Sequence, residues 1–372
     1  MKGMITRKAL LWVLLPTLVL GVSCERTDEV LSESVRFSMS ASGDKETRTA
    51  YSGDGTKDAQ GLLTKERIDW EVNDLVTIYS PEAMKTDWSH YADYKVTSVS
   101  THDASYVTHA TGDLMSHAEV VASDGGKGLT WEVGTNHFYG MYPSKAMFSS
   151  TDDGYSWIAM NEKTMKATIP ADQTGRLTWT GLTGTGNIVG TPDMRYAWMF
   201  SNGATGTKGQ SDPVHLVFYP KFTAFEFTIG SGENDSVTLS SFKLETLASG
   251  AYVAGNFSLD GDTGAVTVNN DAARTNNVTF TFPTGTVVTP SKSLTFTVFA
   301  LPKDLTKMRI TFTGTEIGTR TLDLNTIDGT ALDFNGCWKY RIYGLRFPNL
   351  LIAVGEDILW DLEAHGEPIN WY

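Results

Sequence analysis

Apolar and polar residues alternate with a period of two along most of this chain, and that pattern commits it to sheets with one buried and one polar face. Val35, Phe37, Met39 and Ala41 alternate with Arg36, Ser38 and Ser40. Val278, Phe280 and Phe282 alternate with Thr279 and Thr281, and Leu294, Phe296 and Val298 with Thr295 and Thr297. The same beat runs through Met308, Ile310 and Phe312 and through Trp338, Tyr340 and Ile342. Successive side chains of a strand leave opposite faces, so these runs read as half-buried antiparallel strands. Turn chemistry separates them: Asp260-Gly261-Asp262-Thr263-Gly264 stands between Phe257-Ser258-Leu259 and Val266-Thr267-Val268. Asp and Gly tolerate the positive φ that a hairpin connection needs. Helical periodicity is almost absent, and the class is all-β.

Strands at this spacing over 372 residues exceed one β-sandwich and point to two. The expected cut lies near 185, where Gly181, Gly184, Gly186 and Gly190 crowd, giving domains at 49–185 and 186–348. No tight internal repeat supports a solenoid or propeller.

The chain opens differently. Lys2, Arg7 and Lys8 precede an apolar stretch from Ala9 to Val22, of the length of a signal-peptide core and too short for a spanning helix. Leu20-Gly21-Val22-Ser23-Cys24 resembles the bacterial lipobox, with Gly in place of the usual Leu three positions before the cysteine. Residues 1–23 are expected to be removed and Cys24 acylated, and two or more acyl chains anchor stably where one does not. Glu25, Asp28 and Glu29 follow at once and resemble the acidic signal that sends lipoproteins of Bacteroidia to the cell surface. The expected location is therefore the outer membrane, facing out. Cys337 then has no intramolecular partner, and the expectation for it is a small apolar core residue beside a strand.

Charge excludes further classes. With 30 Lys and Arg against 43 Asp and Glu the net charge is −13, and it becomes more negative once Lys2, Arg7 and Lys8 are gone. A chain so acidic, without a basic tract, does not suit nucleic acid. Catalytic motifs are missing too: there is no Gly-x-Ser-x-Gly, no P-loop and no His-Glu-x-x-His. Asp260, Asp262 and Asp271 take positions one, three and twelve of a calcium loop, but Gly264 replaces the fifth ligand and a hairpin explains them better. Nothing suggests an enzyme, a metal or a cofactor. Ten tryptophans raise sugar stacking, and with it a surface glycan-binding lipoprotein of the outer-membrane uptake type. Core packing competes for the same residues.

One set of blocks carries more. Thr47-Arg48-Thr49-Ala50-Tyr51-Ser52-Gly53, Arg67-Ile68-Asp69-Trp70-Glu71-Val72-Asn73-Asp74 and Val76-Thr77-Ile78-Tyr79-Ser80 resemble the N-terminal signature of the fimbrillin-like proteins of Bacteroidia. Ile169-Pro170-Ala171-Asp172-Gln173 resembles the close of their first domain. Leu216-Val217-Phe218-Tyr219-Pro220-Lys221-Phe222, Phe299-Ala300-Leu301-Pro302 and the run from Trp338 to Leu345 resemble positions of the second.

The resemblance implies two transthyretin-like antiparallel β-sandwiches and a structural subunit of a type V pilus, as stalk, tip or anchor. Such pilins reach the surface as lipoproteins; a trypsin-like protease cuts after an arginine, a first strand leaves, and a strand of the next subunit fills the groove. The implied partners are other pilin subunits and, for adhesion, a host or bacterial ligand. In this sequence the removable strand falls on Val35, Phe37, Met39 and Ala41, within the lipidated segment 24–48, and the cut on Arg48 in a polar stretch. The donor candidate is the tail 349–372, where Leu350, Ile352 and Val354 alternate and then Ile358, Trp360 and Leu362. The same tail would also suit edge strands of its own domain.

Overall fold

The computed structural model describes residues 34–41, 50–51, 68–103, 114–232, 235–325, 330–347 and 351–352. Seven strands close into a ring: β1 (Phe37–Ala41), β4 (Leu75–Tyr79), β5 (Tyr91–Asp103), β6 (Leu114–Ala122), β7 (Thr135–Tyr142), β12 (Met199–Thr207) and β13 (Val214–Pro220). The order around it is β1-β13-β12-β7-β4-β5-β6, and β6 pairs back to β1. Closure leaves no strand edge inside the ring. Alternation does what the sequence asks: Val76, Ile78, Tyr94, Val96, Ala118 and Phe138 are buried. Beside the ring, β2 (Ala50–Tyr51) pairs with β3 (Ile68–Asp69).

A six-stranded sheet runs β10 (Leu177–Thr180), β11 (Ile188–Pro192), β20 (Leu294–Ala300), β14 (Thr223–Ser231), β25 (Lys339–Phe347) and β26 (Leu351–Ile352). A five-stranded sheet has the order β18 (Asn277–Thr281), β15 (Val237–Thr246), β22 (Met308–Gly314) and β23 (Gly318–Asp323), with β19 (Val287–Val288) also on β15. These two sheets pack through phenylalanines. Phe242 of the second lies 5.1 Å from Phe227 and 5.0 Å from Phe296 of the first, and Phe280 lies 5.1 Å from Phe296. Thr279, Thr311 and Thr313 point the other way and keep partial exposure, as the period-two pattern dictates.

A four-stranded sheet, β17 (Val266–Val268), β16 (Gly255–Asp260), β9 (Thr164–Ile169) and β8 (Ala159–Asn161), joins strands from both halves of the chain. Its β16–β17 hairpin forms at Asp260–Gly264, where the Asp260 carboxylate accepts from the Thr263 amide at 2.8 Å and Gly264 takes φ +68°. A last pair is β21 (Leu305–Thr306) with β24 (Asp333–Phe334). Among the described residues the only helical elements are 3-10 turns at Lys145–Met147, Tyr155–Trp157 and Met194–Tyr196.

Three expectations need correction. A cut near 185 does not separate the sheets: β10 and β11 join the six-stranded sheet, while β12 and β13, later in sequence, return to the ring. Seven strands close on themselves, and the sheets are not purely antiparallel. β1 is parallel to β13, β11 to β20 and β14 to β25. A period of two is the same for either direction of pairing, so alternation alone cannot distinguish them. Cys337 is not a strand-side core residue either. It stands half-buried in the turn entering β25 at φ +66°, its amide bonded to Thr223 Oγ1 at 3.1 Å, and burial pushes its thiol pKa up.

Candidate functional site

The place of β1 in the ring is the feature with mechanical consequence. Phe37, Ser38, Met39, Ser40 and Ala41 lie parallel to Val214, His215, Leu216, Val217 and Phe218 of β13. On the other side they lie antiparallel to Val120, Glu119, Ala118, His117 and Ser116 of β6. The strand enters through Val35, whose amide donates to Leu129 O at 2.9 Å, and Arg36 O accepts from the Val214 amide at 2.8 Å. Val35, Phe37, Met39 and Ala41 are all buried. The Phe37 ring meets Tyr94 and Phe138 edge-on, each at 5.0 Å. Burying the Val, Phe and Met side chains of this one strand stabilises the ring by roughly 5–9 kcal/mol before ordering costs. Taking β1 out would open two rows of backbone groups above an apolar trough.

On its other face β1 carries polar chemistry. Ser38 Oγ lies 2.9 Å from His215 Nδ1, and Ser40 Oγ 3.0 Å from His215 Nε2. One ring nitrogen of a neutral imidazole donates and the other accepts, and a hydroxyl can do either, so His215 can bond both serines at once. Burial, and then the neighbouring His117, hold its pKa down at about 4. His117 of β6 stacks on His215 at 5.5 Å and 3°, and its Nε2 lies 3.6 Å from Glu119. This Ser-His-His line is a site that sequence reading missed. His117 and His215 are visible as polar members of alternating runs, but only the ring brings residues 38, 117 and 215 side by side.

Several blocks of the family resemblance meet elsewhere. The buried Gln173 side chain donates to Phe299 O at 2.8 Å and accepts from the Phe299 amide at 3.2 Å, while its own amide reaches Thr279 O at 2.8 Å. Phe222 and Phe299 rings pack at 4.9 Å, Thr223 Oγ1 donates to Leu301 O at 2.9 Å, and the Ala224 amide donates to Trp338 O at 2.9 Å. Four blocks far apart in sequence thus form one joint, which explains their residue types as packing and hydrogen bonding.

Among the tail positions only Ile352 falls in the described residues, in β26, opposite Leu345 of β25. Cys24, Arg48, Leu350, Val354, Ile358, Trp360 and Leu362 lie outside them. The aspartates of the calcium reading do not converge: Asp260 caps its own turn, Asp262 accepts from Tyr139 Oη at 2.8 Å and Lys163 Nζ at 3.1 Å, and Asp271 accepts from Asn256 at 3.1 Å. No group of His, Cys, Asp and Glu suited to a metal occurs among the described residues. The tryptophans are mostly structural. Trp70, Trp131 and Trp198 are buried, Trp179 packs on Phe282 at 5.7 Å, and Trp88 is the exposed one among those described. Among the described residues that arrangement gives no aromatic platform for a sugar.

No protein-family model and no curated protein matches the chain. Solved structures with a distant likeness include a candidate cell adhesion protein of Bacteroides uniformis, 15% identical, with a TM-score of 0.45 over 84% of this chain and 92% of that one. Another candidate cell adhesion protein, of Bacteroides ovatus, is 12% identical with a TM-score of 0.46, covering 86% and 94%. A fimbrial assembly protein of Parabacteroides distasonis is 10% identical with a TM-score of 0.38, covering 83% and 90%.

Proposed function

We propose that this chain is a structural subunit of a surface fibre of the type V pilus kind, assembled by exchange of its first strand. The observation that carries the reading is the position of β1: a short strand near the start of the mature chain that completes a closed ring between β13 and β6. Backbone donors and acceptors on both neighbours and an apolar floor are what an incoming extended segment needs for affinity and specificity. The sequence supplies the rest. Arg48 follows β1 after a polar run, and Cys24 precedes it. Cleavage at Arg48 would therefore separate the lipidated segment with its strand from the body of the subunit. The two transthyretin-like sandwiches belong to this reading as well, the ring with its neighbours forming the first and the Phe-packed sheets the second. The subunit acts by assembly at the outer membrane surface and not by catalysis.

The test is limited trypsin digestion of the acylated full-length protein. The expected result is one early cut with a new N-terminus at Thr49, followed by polymer ladders on gels run without boiling. An Arg48→Ala chain should resist the cut and stay unassembled. A cut chain that remains monomeric at high concentration would remove the stalk role.

A further inference from the structure

The polar face of the six-stranded sheet holds a cleft of about 340 Å³, at the lower end of the size range of small-ligand sites. On β14 the side chains of Phe225, Phe227 and Ile229 are buried, Phe227 against Phe242, so Glu226, Thr228 and Gly230 belong to the other face. On β25 the same division leaves Arg341 and Arg346 outside, between buried Ile342, Leu345 and Phe347.

The cleft forms where β25 bulges. Phe227 pairs with Ile342 and Ile229 with Leu345, which leaves both Tyr343 and Gly344 opposite Thr228, and Gly344 takes φ +77°. An extra residue of this kind bends its strand and re-aims the side chains around it. Gly230, next along β14, lines the cleft without a side chain: an added Cβ would meet nothing nearer than Arg346 Cγ at 3.9 Å. A glycine inside a strand, with open space above it, is suited to the close approach of a ligand. The wall on the β20 side is the tight turn from Thr289 to Lys292, where the Thr289 amide donates to Lys292 O at 3.1 Å. Asn187 ties that wall down by accepting from the Ser293 amide at 3.1 Å.

The lining sets the chemistry. It carries hydroxyls and two cations, with no carboxylate and no aromatic ring among the described residues. Arg346 is exposed, whereas Lys292 is only 9% exposed and its Nζ donates to two neutral acceptors, Leu182 O at 3.1 Å and Gly184 O at 3.2 Å. Glu226 of the same face is already held by Lys339 at 2.8 Å and Arg341 at 2.9 Å. Asp235 stands beyond the lining, its carboxylate against Gly232. A buried cation with neutral partners favours a negative charge nearby, and a guanidinium offers a carboxylate two parallel hydrogen bonds. We infer that this cleft binds an acidic saccharide, its carboxylate on Arg346 beside Lys292 and its hydroxyls on those of Thr228, Ser291 and Ser293. A bare sulfate would leave most of the volume empty, and a nucleotide would find no ring to stack on. The net charge of −13 also repels large polyanions, so a small ligand with one negative charge suits this local pair of cations. The inference stands apart from strand exchange.

The test is calorimetric titration of the full-length chain, at low ionic strength, with methyl glucuronide, N-acetylneuraminic acid and the neutral methyl glucoside. At least one of the two acids should bind at least tenfold more tightly than the glucoside, and the tighter of the two identifies the sugar. Arg346→Ala should weaken that binding at least tenfold, and Arg346→Lys at least threefold, because lysine keeps the charge and loses the planar fork. Thr228→Val should cost at least threefold. Gly230→Leu fills the cleft from β14 and should abolish binding with little change in thermal midpoint, since open space lies over that position. Acids that bind no better than the glucoside, or sulfate bound as tightly as either acid, would overturn the inference. So would binding that survives both Arg346→Ala and Gly230→Leu, or binding that needs prior removal of residues 353–372, which would mean that the full chain closes the cleft itself.

Discussion

Replacing Phe37 by alanine should weaken the whole ring, because this side chain is the wedge between β1 and the far wall. Phe37 is 2% exposed and holds edge contacts with Tyr94 and Phe138, each at 5.0 Å; Trp131 in turn packs on Phe138 at 5.6 Å. Truncating a buried Phe to Ala costs about 3–5 kcal/mol, part of it lost transfer energy and part the cavity left behind. The two aromatic contacts contribute about 0.5–1.5 kcal/mol each within that sum. Against a total stability on the order of 5–15 kcal/mol, this is a large fraction. The assay is urea unfolding of the full-length protein followed by tryptophan fluorescence. For a slope of about 3 kcal/mol/M the midpoint should fall by about 1–1.7 M. Met39→Leu on the same strand keeps its volume and should cost less than about 1.5 kcal/mol. A midpoint for Phe37→Ala within about 0.3 M of the parent, or an equal shift for Met39→Leu, would refute the view that β1 is a full member of the core in solution.

Two further outcomes follow from the packing. Glu226 of β14 is subject to burial, which pushes its pKa up, but Lys339 Nζ at 2.8 Å and Arg341 Nε at 2.9 Å hold it down to about 2 from 4.5. A carboxylate depressed on folding stabilises above its unfolded pKa and loses that stabilisation as pH falls through the folded one, here about 3 kcal/mol between pH 4.5 and 2. Glu226→Gln should flatten this part of the acid denaturation curve, and an unchanged curve would contradict the ion-pair account. Gly140 of β7 lies against the ring of Phe218, whose Cζ would be 2.4 Å from an added Cβ. Gly140→Ala should lower thermal stability by about 1–3 kcal/mol, and less in a Phe218→Leu background; additivity of the two changes would show that they do not share this contact.

The joint at Gln173 shows how far sequence reading goes. Ile169–Gln173, Phe222, the Phe299–Pro302 run and Trp338 each stand out as blocks, and their order is plain in the chain. That Gln173 bridges to Phe299, and Thr223 to Leu301, is a matter of tertiary contact between residues up to 126 apart. The hairpin at Asp260–Gly264 was fully legible because a turn is a local object. The division near 185 was not, since crowded glycines mark a loop but do not say which sheet the next strand enters. The buried ion group on β14 and β25 was hidden for a related reason: Lys339 lies on the polar face of its strand, yet only 2% of its side chain is exposed because Glu226 meets it there.

The amino-acid sequence by itself determined the all-β class, the inward and outward faces of the runs that alternate clearly, such as 278–282, 294–298 and 308–313, and the residues Val35, Phe37, Met39 and Ala41 as one buried set. Local alternation and turn chemistry are sufficient for that, because they depend on neighbours within a few positions. Only the tertiary structure decided that this set closes a ring, that its strand runs parallel to β13, and that Ser38, Ser40, His117 and His215 form one line. Pairing direction and partner leave no mark on a period-two pattern. They are fixed by which long-range closure buries the most apolar surface while satisfying every backbone hydrogen bond.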